Sequence, residues 1–129
     1  MKHVANCVQP SGSAPAQGPY SPALDLGDFI FISGQVGMDP ATKKVVPGGT
    51  LPEFHQALKN VRALLEAAGL MPAQVVKTTL FLMDMGEFAA VNEVYAGFFK
   101  DLPRPARSTI QVAALPGGAR IEIEAIARR

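Results

Sequence analysis

One guanidinium and two carboxylates are the groups in this chain best placed, by type and spacing, to do chemistry. Pro105-Ala106-Arg107-Ser108-Thr109-Ile110 reads as the opening of a strand. The two-residue period of a strand puts Arg107, Thr109 and Gln111 on one face, and Ser108, Ile110 and Val112 on the other, apolar one. Arg107 stands at a strand start beside a proline-bounded loop and has two readings. It is a surface arginine paired with a carboxylate, or a planar fork that grips a substrate carboxylate through two parallel hydrogen bonds. In Ile121-Glu122-Ile123-Glu124 the glutamates share a face. Either they line a solvated sheet face, or apolar neighbours desolvate them and raise their pKa, which suits proton transfer.

Other reaction templates lack their residues. His3 and His55 sit in no metal-ligand spacing, and the sole cysteine, Cys7, is paired with neither. Cys7 reads as a half-buried small residue. Ser33-Gly34-Gln35-Val36-Gly37 is not a dinucleotide fingerprint, and there is no Walker loop. The expectation is chemistry without metal or cofactor, carried by Arg, Glu, Tyr, hydroxyls and backbone.

The elements that must position these groups are legible from pattern. Residues 9–22, rich in Pro, Ser and Gly, read as a long ordered loop. Phe29 to Ser33 is a strand, and Gly37 to Gly49 is turns and loop. Thr50-Leu51-Pro52-Glu53 has capping-box spacing, and Phe54, Leu58, Val61, Leu65 and Ala68 then form a helical stripe that Gly69 ends. Val75 to Met83 is a second central strand. Asp84 and Glu87 repeat the capping-box spacing before a helix with the stripe Phe88, Val91, Tyr95, Phe98. Arg107 to Ala113 and Arg120 to Ala127 read as strands joined through Pro116-Gly117-Gly118. The order predicts an α+β fold with one mixed sheet and two helices.

If the last two strands form a simple hairpin, Ala113 faces Glu122, and Arg107 lies about six residues further along, roughly 20 Å away. One small substrate cannot touch both within such a hairpin. Either a neighbouring subunit supplies one of them, or the pairing is less simple.

The chain has 129 residues, which predicts a single domain over 1–129. It is 48% hydrophobic and only 18% charged, with a net charge of +1. The low charge excludes a broad basic face for nucleic acid, since the densest basic spots are Lys43-Lys44 and Arg128-Arg129. The apolar content excludes disorder. A lone cysteine suits a reducing compartment. The opening MKHVANCVQP lacks the apolar core of a signal peptide, and no apolar run nears the ~20 residues that span a bilayer. The expectation is a soluble cytoplasmic protein with no membrane partner.

Two strands raise a further expectation. Phe29 and Phe31 alternate with Ile30 and Ile32, and Val76, Leu80 and Leu82 with Phe81 and Met83, so both strands are apolar on both faces. Two helices cover only one face of a small sheet. Another subunit would cover the other, unless the N-terminal loop folds over it.

Four stretches carry a family resemblance over nearly the whole chain. They are Gly18-Pro19-Tyr20-Ser21, Ile32-Ser33-Gly34-Gln35, Asn60-Val61 with Ala67-Ala68-Gly69-Leu70, and a C-terminal signature. The signature runs from Pro105-Ala106-Arg107-Ser108 through Leu115 to Ile121-Glu122-Ile123-Glu124-Ala125. The chain resembles the Rid family of reactive intermediate (imine) deaminases, formerly the YjgF family. That resemblance implies a chorismate-mutase-like α+β fold, with a mixed sheet and two helices on one face, assembled as a homotrimer with sites between subunits. It implies hydrolysis of 2-imino and 2-enamino acids, such as 2-iminopropanoate and 2-iminobutanoate, to 2-oxo acids and ammonia without a cofactor. By matching position, Arg107 would bind the substrate carboxylate and Glu122 would position or activate water. Tyr20, Ser33, Gly34 and Asn92 would line the site, together with Thr109, which stands where many relatives have cysteine. That departure argues against thiol chemistry there. Three alternatives stay open: a trimer that binds small carboxylates without catalysis, an RNA-directed or chaperone-like role, and deamination of a different aminoacrylate-type substrate.

Overall fold

The computed structural model describes residues 6–9 and 14–129. His3 and positions 10–13 of the Pro/Ser/Gly-rich segment lie outside the described residues. The strands are β1 (Asn6–Val8), β2 (Ala23–Asp25), β3 (Phe29–Val36), β4 (Met38–Asp39), β5 (Lys44–Val45), β6 (Val75–Leu82), β7 (Ala106–Gln111) and β8 (Ile121–Arg128). The helices are α1 (Thr50–Ala67) and α2 (Phe88–Phe98). A six-stranded mixed sheet runs β1-β2-β3-β8-β6-β7, and β4 pairs with β5 in a small hairpin inside the segment expected to be turns and loop.

The helices cover one sheet face. On α1, Phe54, Ala57, Leu58, Val61, Leu64 and Leu65 are buried, as the three-and-four spacing requires. They meet Ile30 and Ile32 of β3, Leu80 and Leu82 of β6, and Ile121 and Ile123 of β8. Each such aliphatic side chain withdrawn from water stabilises the fold by about 1.5–3 kcal/mol. Asn60 is the polar member of this layer. Its Nδ2 donates to the carbonyls of Val36 (3.1 Å) and Met38 (2.9 Å), and so ties α1 to the end of β3. Gly69 ends the helix run with φ +76°, a conformation that favours glycine.

Both capping expectations need correction. Gly49 is the N-cap of α1 and makes no side-chain cap bond. Thr50 Oγ1 and Glu53 Oε1 accept instead from Arg120, through its Nε (3.0 Å) and backbone N–H (2.8 Å). Asp84 caps a short 3₁₀ turn ahead of α2, accepting from Gly86 N–H. Glu87 turns away to Arg120 Nη2 at 2.9 Å. The Thr50 hydroxyl and then the Arg120 guanidinium hold the Glu87 carboxyl below its usual range. Arg120 thus gathers the starts of both helices at the root of β8.

The hairpin of the last two strands does not form. β7 follows α2 and pairs parallel with β6, and β8 lies on the other side of β6. A strand–helix–strand unit closes by parallel pairing. Composition explains the rest. β8 alternates buried Ile121, Ile123, Ala125 and Ala127, and takes a central place between β3 and β6. The polar β7 takes the edge. β7 also ends at Gln111, two residues short of expectation.

The second sheet face carries exposed Leu24, Phe29, Phe31 and Ile110. Residues 14–22 do not cover it, and β1 and β2 instead extend the sheet. A register shift at Val75/Lys77 takes Val76 out of the alternation with Leu80 and Leu82 and leaves it exposed. Cys7 is exposed rather than half-buried.

Candidate functional site

The residues singled out by sequence fall into two clusters on opposite faces of the sheet. Arg107 is in register with Thr78, whose side chain is buried beneath the helices. Glu122 is in register with Phe81 and Val36, on the face without helices. Register separates them by three positions along the strands and two strands across, roughly 10 Å in each direction. No small molecule touches both within one chain.

The first cluster is a cradle for Arg107. Phe88, Asn92 and Tyr95 follow one another at i, i+4 and i+7 on α2, so they share a face. Arg107 Nη2 donates to Asn92 Oδ1 at 2.7 Å. The guanidinium carbon lies 4.7 Å from the Tyr95 ring centroid and 5.5 Å from that of Phe88. Such cation–ring contacts are worth about 0.5–2 kcal/mol, depending on desolvation. Tyr95 is fixed in turn: its hydroxyl shares a 2.7 Å hydrogen bond with Thr78 Oγ1. Burial pushes the Tyr95 pKa up, so the phenol stays neutral. Among the described residues Arg107 makes no ion pair. It lines a groove of about 480 Å³ with Asn92, Tyr95 and Arg104. Thr109, two positions along the same face, has a buried hydroxyl with no hydrogen-bond partner among the described residues.

The second cluster surrounds Glu122. Between Ile32 and Gln35 the pairing of β3 with β8 slips, so Ser33 and Gly34 form an irregularity of the kind that re-aims strands near functional sites. The Glu122 carboxylate lies against Gly34. A methyl group at that position would meet Cδ at 2.7 Å and both oxygens within 3.0 Å. Burial first, and the Glu124 carboxylate second, raise the Glu122 pKa above the ordinary carboxylate range. Ser33 Oγ donates to the Ser21 carbonyl at 2.7 Å, and Ser33 N–H to the Pro22 carbonyl at 2.9 Å. These bonds hold the loop bearing Tyr20, which is half exposed and shares a small cleft with Gly34.

Arg107, Asn92 and Thr109 therefore belong to one half, and Tyr20, Ser33, Gly34 and Glu122 to the other. The sequence reading missed the roles of Phe88 and Tyr95, which it placed in the α2 core stripe. The available signal was Asn92 set between two aromatics at helical spacing. Chemically, one half offers a fixed cation and the other a desolvated carboxylate.

The comparisons with known proteins agree on one family. The model of the family described as Endoribonuclease L-PSP matches residues 11–129. The 2-iminobutanoate/2-iminopropanoate deaminase of Mus musculus is 50% identical over 128 residues, covering 98% of this chain and 94% of that protein. The structure of YyfA, a conserved Rid-family protein of Yersinia pestis, superposes with a TM-score of 0.94 at 37% identity, covering 98% of this chain and all of that one. That of E. coli TdcF with bound serine gives 0.91 at 39% identity, covering 96% and 98%.

Proposed function

This chain belongs to the Rid family, that of the Endoribonuclease L-PSP model, and we propose that it hydrolyses 2-imino and 2-enamino acids to 2-oxo acids and ammonia at seams between three copies. The carrying observation is the Arg107 guanidinium, held by Asn92 and two rings with no carboxylate partner among the described residues. A preorganised, unpaired fork is built for a carboxylate that arrives from outside. The name of the mouse relative supplies the substrate class, and the serine bound to TdcF is likewise a small amino acid.

In this reading Arg107 of one chain fixes the substrate carboxylate. Glu122 of a neighbouring chain takes a proton from water as the oxygen bonds to the imine carbon. The resulting carbinolamine collapses. From the protonated imine this adduct is neutral; Glu122 returns its proton to nitrogen, the C–N bond breaks as the hydroxyl gives its proton to the Glu122 carboxylate, and ammonia leaves with the 2-oxo acid. Enamino acids enter after protonation at C3 gives the imine. The Thr109 hydroxyl and the cleft beside Tyr20 and Ser33 would complete the walls. A net charge of +1 with no basic track weighs against RNA as the substrate.

The test follows decay of 2-iminopropanoate and 2-iminobutanoate, generated by a serine or threonine dehydratase, with and without the protein. Decay is expected to accelerate with wild type. Arg107→Ala should lower kcat/KM by about 100-fold or more, as loss of a bidentate charge-assisted pair requires, with unchanged sedimentation. Wild-type turnover in that variant would exclude the assignment.

A further inference from the structure

A groove of about 610 Å³ lies between α1 and α2 on the side of the helices away from the sheet. It adjoins the Arg107 groove only through Glu93, which lines both, and contains none of the site residues; subunits packed on the bare sheet face would leave it open. Its floor is Leu58, Val94 and Phe98, the last two only partly buried against the core. One wall is a basic ridge of His55, Lys59 and Arg62, at i, i+4 and i+7 on α1. Arg62 lies 5.2 Å over the Phe98 ring, so the ridge is set against the apolar floor. Glu93 is the one acidic side chain of the lining.

A second, independent observation comes from Gly97. It sits inside α2, where glycine weakens a helix relative to alanine. Its φ is not in the left-handed region, and a methyl group there would meet nothing within 4 Å. Nothing among the described residues explains the missing side chain. A bare backbone on the wall of a groove suits an occupant that approaches closely, as helices do at small residues.

We infer that this groove docks an acidic amphipathic helix of a partner protein, its apolar stripe on Leu58, Val94 and Phe98 and its carboxylates along Lys59 and Arg62. This is recognition of a helix by a groove, with anchors at i, i+3, i+4 and i+7. A second copy of this chain is not this occupant, because neither of its helices carries an acidic stripe: α2 has Glu93 alone, and α1 has only Glu53 and Glu66. The ridge from His55 to Arg62 rises roughly 10 Å, so it engages about two turns of the partner.

The probe is a stapled peptide of about 14 residues, with leucines on one stripe and glutamates beside it, so that helicity is not the limit. Fluorescence anisotropy with the full chain should show saturable binding of one peptide per chain. Replacing the glutamates by lysines should weaken binding at least tenfold. The protein variant Lys59→Glu/Arg62→Glu should do the same. Gly97→Leu should abolish binding and leave imine hydrolysis at the wild-type rate. Gly97→Ala should raise Tm by about 4 °C while weakening the peptide. Three results would overturn the inference: no saturable binding of the acidic peptide, equal binding of the basic one, or undiminished binding by Gly97→Leu. Saturation of the groove by decanoate without any peptide binding would also overturn it, and would make this a small-molecule site.

Discussion

At the scale of single residues the two key groups are prepared in opposite ways. Arg107 is given neutral partners that leave its charge unspent. The Glu122 carboxyl is half-buried with no hydrogen-bond partner among the described residues, so burial, and then the Glu124 charge, hold its proton more tightly than that of a free carboxyl. The second condition has a cost with a definite sign. A carboxyl whose folded pKa is raised binds more protons folded than unfolded over the interval between the two values. Stability therefore falls as pH rises from the ordinary carboxylate value through the raised one. Glu122→Gln should make the fold at least as stable as wild type at pH 7, while kcat/KM falls by about 100-fold or more for loss of a general base. Urea titrations at pH 4 and pH 7 and a pH–rate profile check both halves. In wild type the acidic limb of the profile should lie above the ordinary carboxylate range. Glu124→Gln should move it down, because the Glu124 charge is the second cause of the shift. Period two placed Arg107 and Glu122 each on its face, while the family resemblance, not the pattern, singled them out from the other charged side chains. Their partners were less legible. A stripe of aromatics at helical spacing reads as core, and only the register of β7 on β6 shows that Tyr95 serves both the core and Arg107.

At the scale of elements, polar side chains rather than apolar ones decide how the pieces join. The apolar stripes of α1, β3 and β8 were readable because burial follows periodicity. The capping boxes were misread because Thr50, Glu53 and Glu87 spend their oxygens on Arg120, far away in sequence. The hairpin was misread for a related reason. Adjacency in sequence favours pairing, but the β6–α2–β7 unit is closed by parallel pairing, and the more apolar β8 takes the centre. Asn60 shows how much one such join carries. Asn60→Ala would leave the carbonyls of Val36 and Met38 without their buried donor, and it should cost about 1–3 kcal/mol. A shift in the urea midpoint at constant m-value measures this. Because the same join fixes the end of β3, which faces Glu122 through Val36, activity should fall further than the population of folded protein does.

At the scale of the whole molecule, the low charge and surplus of apolar residues acquire a location. The helices bury one side of the sheet, and Leu24, Phe29, Phe31 and Ile110 remain on the other. Glu122 stands on that bare side and Arg107 on the covered one, at an edge strand. A trimer packed through the bare faces would answer both facts, since it would cover the apolar side chains and bring one chain's edge to another chain's carboxylate. Phe31→Lys should then shift sedimentation toward monomer and abolish imine hydrolysis together, with the isolated chain still folded by circular dichroism. The central claim, that each site takes Arg107 from one chain and Glu122 from another, is tested most directly by mixing two inactive chains. Arg107→Ala and Glu122→Gln chains, co-expressed with different tags and purified as mixed oligomers, should recover about a third of wild-type activity, because every mixed cyclic trimer has one seam of its three with both residues intact. Mixed oligomers no more active than their parents would contradict the account.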